Sequence, residues 1–325
     1  MERILKILVI RFSSFGDIVL TYPFLNELRR LYPEAQIDFL VKKQFIGVIQ
    51  LHSAVDNIFI LSDNGKNRMK SEKYDVVFNL QGNPKSIFLS LYLGRKIFKV
   101  RKDTLKKLVL VNLKINTLQN SLPVFAKYLV TLRAFNPEAR TDYTVTGKLR
   151  TAEFGNNTGE YSVVSPSSKH FTKRMPADKF IEILNSFKTK IILTGDNNVI
   201  DAEICSYISK NVSNAENLCG KLTFGELAAY IQKSKFIICN DSGILHLAEA
   251  LNKKVFVFFG NTVKEFGFYP QLSSTEIFDS GELDCRPCSH IGKNKCIKGH
   301  FKCMNDIDIK TVKKRIQYFE YEHIS

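Results

Sequence analysis

The chain has 325 residues, 44% hydrophobic and 24% charged, with a mean hydropathy of −0.10. That composition excludes long disorder, and no run approaches the roughly 20 apolar residues a membrane helix needs. Lys and Arg number 47 against 32 Asp and Glu, a net charge of +15, which suits nucleic acid, anionic lipid, phosphorylated substrates or plain solubility.

Ile4–Ile10 is an almost continuous apolar run, the pattern of a strand buried on both faces. Arg11 and Asp17 follow with no small-residue cleavage site, so the sequence predicts a cytosolic chain whose seven cysteines are reduced, metal-bound or buried. A helix is predicted over Thr21–Tyr32, then a strand over Ile37–Val41, a short helix over Gln44–Leu51 and strands over Ile58–Leu61 and Tyr74–Asn79. A helix over Lys85–Leu93 follows the turn Gln81-Gly82-Asn83-Pro84. Next comes a basic run, Arg95, Lys96, Lys99, Arg101, Lys102, Lys106 and Lys107, interrupted by one acid, Asp103. Residues 1–150 hold 25 basic and 12 acidic side chains, and residues 151–325 hold 22 and 20. The charge excess is therefore a property of the first half.

Residues 136–160 are polar and glycine-rich and read as a linker. A second alternation begins at strand Tyr161–Val164. It continues through helix Pro176–Phe187, strand Ile191–Leu193, helices Val199–Ser209 and Phe224–Gln232, strand Phe236–Cys239, helix Ile244–Leu251 and strand Val255–Phe259. Two such series predict an α/β chain of two Rossmann-like domains facing a central cleft, over 1–150 and 151–309. A terminal helix at 310–325 is expected to pack back on the first domain.

Four loops carry candidate chemistry. Ser13, Ser14 and Gly16 allow close approach to the backbone. Asp17 is either a helix cap or a carboxylate suited to general-base work. The loop is not GxGxxG, so a dinucleotide site is poorly supported. Between a strand and a helix lies Asp241-Ser242-Gly243, with His246 one turn in. Free amides there can hold a phosphate, while a core or surface role is the alternative for the histidine. Thr262 ends the next strand. In the loop from Ser165 to Pro176, Lys173 or Arg174 can neutralise a phosphate. Finally, Cys285, Cys288, Cys296 and Cys303 fall within 19 residues and predict a structural zinc site, with a thiol-rich packing loop as the alternative.

ILVIRFSSFGDIVLTYP resembles the N-terminal signature of the ADP-heptose:lipopolysaccharide heptosyltransferases, glycosyltransferase family 9. NDSGILHLAEALNKKVFVFFGNT resembles that family's donor-binding signature, and TKRMPADKF and the CRPC…C…GHFKC segment are similar to further family segments. The resemblance implies a GT-B fold and an inverting, metal-independent heptose transfer from an ADP-sugar to the lipopolysaccharide inner core. It also implies Asp17 as base, with donor contacts from Ser165, Lys173, Leu222, Asp241, Ser242, Gly243, His246 and Thr262. The family's ribose-binding acid has no clear match in TGDNNVIDAE, where Asp196 is the candidate. No catalytic cofactor is expected. The expected partners are an anionic core acceptor and the inner membrane surface, with the enzyme cytoplasmic and peripheral. Two alternatives stand beside this reading: a GT-B enzyme for another nucleotide sugar or acceptor, and a basic nucleic-acid binder, which lacks any recognised motif.

Overall fold

The computed structural model describes residues 4–62, 69, 72–144, 149–150 and 160–322. Much of the expected linker, residues 145–148 and 151–159, lies outside them. By its internal packing the chain forms two units: 1–104 with 120–151, and 105–119 with 152–325.

The first unit is a five-stranded parallel sheet, β1 (Lys6–Ile10), β2 (Gln36–Val41), β3 (Asn57–Ile60), β4 (Tyr74–Asn79) and β5 (Gly94–Lys99), in the order β3-β2-β1-β4-β5. The central strand β1 pairs Ile7 with Ile37 on one side and Val76 on the other. Leu8, Ile10, Leu40 and Val77 are wholly buried in the sheet core, each contributing roughly 1.5–3 kcal/mol of burial. Its helices are α1 (Phe15–Val19), α2 (Tyr22–Leu31), α3 (Ile46–Gln50) and α4 (Pro84–Leu93). The first unit's last helix is α6 (Val124–Arg133), which follows α5 (Thr104–Leu113) in the chain. Asn83 caps α4 by accepting from Ser86 N at 2.9 Å, and Pro84 opens it, where a missing N–H costs nothing.

The second unit is a six-stranded parallel sheet of β6 (Tyr161–Ser165), β7 (Lys190–Leu193), β8 (Ala215–Asn217), β9 (Ile237–Asn240), β10 (Val255–Phe258) and β11 (Thr275–Phe278), ordered β11-β10-β9-β6-β7-β8. The helices in chain order are α7 (Ala177–Leu184), α8 (Val199–Asn211), α9 (Phe224–Lys233), α10 (Gly243–Ala250), α11 (Lys302–Asn305) and α12 (Ile309–Glu322). Both sheets run outward in two directions from a central pair. Between β1 and β4, and again between β6 and β9, successive connections leave in opposite directions. In such sheets ligands bind past the strands' carboxyl ends at that reversal.

Two domain expectations change. The terminal helix α12, expected to pack on the first domain, is part of the second unit. Ile309, Val312 and Ile316 are buried in the second unit's core beside Phe180, Phe236 and Phe256, and Arg315 grips Glu276 at 2.8 Å. The boundary is also not one cut at 150. Segment 105–119, with α5, packs in the second unit, where Leu110 and Leu118 meet Phe266. Lys107 there donates to Phe266 O at 2.8 Å, so the basic run is shared between units.

Candidate active site

In the first unit the chain leaves β1 at Arg11 and turns into α1, whose N-cap is Ser14. Asp17 is therefore the third helical residue and not the cap itself. Its Oδ2 accepts from Ser14 Oγ at 2.7 Å and Ser14 N at 3.2 Å. Its Oδ1 meets Arg11 Nη2 at 2.7 Å. Arg11 is buried; it donates to Leu80 O at 2.8 Å, and its guanidinium lies 5.9 Å from the Tyr128 ring centroid. Phe12 N donates to Gln81 Oε1 at 2.9 Å. The loops after β1 and β4 are thus tied together on both sides of the reversal point, with Asp17 between them. Burial opposes the charge on Asp17, but the Arg11 ion pair and the Ser14 hydrogen bonds outweigh it and hold the carboxyl below the usual carboxylate range. The side chain keeps 18% exposure, so an ionised carboxylate with spare acceptor positions stays reachable.

In the second unit Ser165 closes β6, and its neighbour across the reversal point is Cys239 on β9. Asp241 follows β9 and is 4% exposed. Its Oδ2 receives Lys173 Nζ at 2.7 Å and Thr262 Oγ1 at 2.7 Å. Burial again opposes its charge, and Lys173 and Thr262 again hold the carboxyl low. Three sequence-separated candidates, Lys173, Asp241 and Thr262, therefore form one cluster. Ser242 caps α10, and Gly243 opens it, so the cluster sits beside the positive end of a helix dipole. His246 is buried one turn in, with its ring 6.3 Å from Phe268. Two buried polar atoms at these loops, Ser242 Oγ and Asn261 Oδ1, have no hydrogen-bond partner among the described residues. Each such atom costs about 1–3 kcal/mol unless something satisfies it. Leu222 stands apart from this cluster, half-buried in the turn before α9.

Several positions that fix the cluster went unassigned at the level of sequence. Asn240 is wholly buried; it donates to Pro166 O at 2.8 Å and accepts from Met175 N at 3.1 Å, so it holds the Lys173 loop against β9. Arg286 donates to Thr262 O at 2.9 Å. Asp201, not Asp196, binds the loops after β6 and β7, accepting from Ser167 Oγ at 2.6 Å and Asp196 N at 2.8 Å. A polar residue directly after an apolar strand run was the available signal for Arg11 and Asn240.

The cysteine segment braces this site. Lys293 O accepts from Thr172 N at 3.1 Å, Lys293 N donates to Thr172 Oγ1 at 2.8 Å, and Asn261 Nδ2 reaches Ser289 O at 3.1 Å. The four cysteines expected to form a zinc set, Cys285, Cys288, Cys296 and Cys303, lie in this segment, and Cys285, Cys288 and Cys296 are the thiol neighbours of Cys303. Among the described residues no three His, Cys, Asp or Glu side chains are placed to hold an ion. Burial, with the neighbouring thiols adding to it, pushes the Cys303 thiol up to about 12 in the metal-free chain.

Two Rossmann-like units with an ionised carboxylate at one reversal point and a cation, a helix N-terminus and unsatisfied polar atoms at the other define a nucleotide-sugar-type group transferase of GT-B fold. The model of glycosyltransferase family 9 (heptosyltransferase) matches residues 65–297. The chain belongs to this family and is a glycosyltransferase. It is 26% identical over 310 residues to lipopolysaccharide heptosyltransferase 1 of Campylobacter coli, covering 86% of this chain and 90% of that one. It is 23% identical over 323 residues to lipopolysaccharide heptosyltransferase 3 of Escherichia coli, covering 86% and 90%. Among solved structures, a family 9 glycosyl transferase from Veillonella parvula superposes with a TM-score of 0.78 at 18% identity, covering 99% of each chain. An Escherichia coli heptosyltransferase with ADP-2-deoxy-2-fluoro heptose gives 0.70 at 16% identity, covering 97% and 99%. Both show the same fold.

Proposed function

We propose that this enzyme transfers a heptose from an ADP-activated donor to the lipopolysaccharide inner core, with Asp17 as general base. The chain works at the cytoplasmic face of the membrane. The observation that carries the reading is the Lys173–Asp241–Thr262 cluster at the head of α10 in the second unit; the first unit by itself holds an ionised, reachable Asp17. The names of the relatives support the sugar and the acceptor.

A sugar hydroxyl has a pKa far above 7, so its proton must leave as the oxygen attacks the anomeric carbon, and a carboxylate in contact takes it. The leaving diphosphate gains charge. Lys173 and the Gly243 and Ile244 amides stabilise it, and Ser242 Oγ donates a further hydrogen bond. An anionic donor competes with Asp241 for Lys173, which leaves Asp241 able to accept from sugar hydroxyls. Asp17→Asn keeps the shape and removes the base. It should lower kcat by about 10²–10⁴-fold while ADP binding by calorimetry stays within twofold. Near-normal turnover in Asp17→Asn would exclude Asp17 as base.

A second reading, transfer from a different nucleotide sugar, is favoured by one observation. The half-buried acid after β7, Asp201, is occupied by Ser167 and the Asp196 amide, and the Asp196 side chain lies exposed. Calorimetry with ADP, UDP and GDP separates the two: preference for ADP supports the first reading, and preference for UDP or GDP overturns its donor.

A further inference from the structure

Helix α4 turns apolar side chains both inward and outward. Ser86, Leu89, Ser90 and Leu93 face the core, where Ser90 Oγ accepts from Asn79 Nδ2 at 2.9 Å. On the outer face Phe88 is 74%, Leu91 68% and Tyr92 51% exposed. A surface helix ordinarily puts polar residues there. Lys85, one helical turn before Phe88, and Arg95 and Lys96, which follow the helix in β5, are exposed. No Asp or Glu occurs between Asp75 and Asp103, a stretch that carries Lys85, Arg95, Lys96, Lys99, Arg101 and Lys102.

We propose that the outer face of α4 seats the first unit on an anionic bilayer, with Phe88, Leu91 and Tyr92 entering the boundary between headgroups and acyl chains. Lys85, Arg95 and Lys96 contact the phosphates. This deepens the membrane-surface part of the reading above and rests on that part alone. Apolar side chains flanked in the chain by cations match a surface that is anionic outside and hydrocarbon beneath. Pairing with a second copy is disfavoured, because a two-fold contact sets the same cations against each other. No described helix is long and apolar enough to cross a membrane, so seating is interfacial.

The chain contains no tryptophan, so Phe88→Trp introduces a single indole at the centre of the patch. With phosphatidylglycerol–phosphatidylethanolamine vesicles its emission should shift to the blue and be quenched by brominated acyl chains. Phosphatidylcholine vesicles should cause neither effect. The triple variant Lys85→Glu, Arg95→Glu, Lys96→Glu should lower partitioning by at least about 100-fold, given about fivefold per cation near the surface. Phe88→Ser with Leu91→Ser should lose vesicle binding yet keep its transfer rate on a water-soluble, deacylated acceptor. An unshifted indole in protein that sediments with anionic vesicles would assign docking to another surface and overturn the proposal. A blue shift that grows with protein concentration without lipid, alongside a dimer mass, would overturn it in favour of self-association. Loss of transfer to the deacylated acceptor would assign the patch to substrate binding instead. If the unaltered enzyme transfers no sugar but the indole still enters anionic bilayers, the functional reading fails and the docking surface stands.

Discussion

Asp17 and Asp241 share a design: a carboxylate largely withdrawn from water, kept charged by one cation and one hydroxyl. In each case the cation is the vulnerable partner, because removing it leaves a buried charge without compensation, at about 3–5 kcal/mol. Lys173→Met should therefore lower the unfolding free energy of the second unit, read by urea titration, by that amount and abolish measurable ADP binding. Adding Asp241→Asn should restore most of the stability but not the binding. Equal stability of the single and double variants would refute the pairing. For Asp17 the sign with pH follows from its lowered pKa. The stabilisation is complete above the ordinary carboxylate value of about 4 and is lost as pH falls through the lower folded value. Arg11→Gln removes the cation and raises the Asp17 pKa. The acid limb of the pH profile of kcat/KM should then move to higher pH, and an unmoved limb would show that the limb belongs to another group. The titratable loop residues were legible in the sequence because acids, lysines and glycines cluster after apolar strands. Their pairing was not, since Lys173, Asp241 and Thr262 are separated by tens of residues and only the parallel register of β6, β9 and β10 brings them together.

At the scale of elements, the strands buried on both faces were readable, and of the four sheet edges only β3 was. β1, β4, β6, β9 and β10 are apolar runs. β5 reads GRKIFK, β8 AEN and β11 TEIF, and these three lie at the ends of their sheets, where half the strand faces water and the apolar signal disappears. β5 was visible only as part of a basic run. A second element-level feature is the tight approach of the β10 loop to the Lys173 turn. A Cβ on Gly260 would stand 2.6 Å from Thr172 O and 2.7 Å from Met304 Cε. Gly260→Ala should therefore displace the 170–173 turn and weaken ADP binding by at least about tenfold, roughly 1.4 kcal/mol, while leaving β10 paired. Unchanged affinity would mean that the turn moves without carrying Lys173 with it. The cysteine segment braces the same turn through Lys293. Less than about a tenth of an equivalent of zinc in protein purified without added metal would exclude the expected zinc site, since intact four-thiolate sites hold their metal tightly. A full equivalent would mean that the thiols close around an ion.

The whole molecule carries its charge less unevenly than the chain does. Counted by unit, 22 basic residues oppose 12 acids in the first, +10, and 25 oppose 20 in the second, +5. The difference from the division at 150 is the transfer of Lys106, Lys107 and Lys114 with their segment. Lys114 donates to Cys285 O at 3.1 Å and Pro287 O at 2.7 Å, and Lys107 to Phe266 O, so these two cations are engaged within the second unit. Units with separate cores should melt separately. ADP at about 100 times its Kd should raise only the second transition, by about 2.7 kcal/mol of stabilisation. A shift of both transitions together would show that they unfold as one.

The exchange of segment 105–119 also decides how the gene can be divided. A break after residue 150, the boundary read from the sequence, yields a C-terminal fragment without its own strap. In it Phe266, 1% exposed in the intact chain, loses Leu110 and Leu118 and faces solvent. The N-terminal fragment meanwhile carries that strap with no partner to cover it. Neither piece is a finished domain. Independent expression of the donor-side unit requires a rewired chain in which 105–119 is rejoined to it, while the first unit needs a short bridge from Thr104 to Asn120.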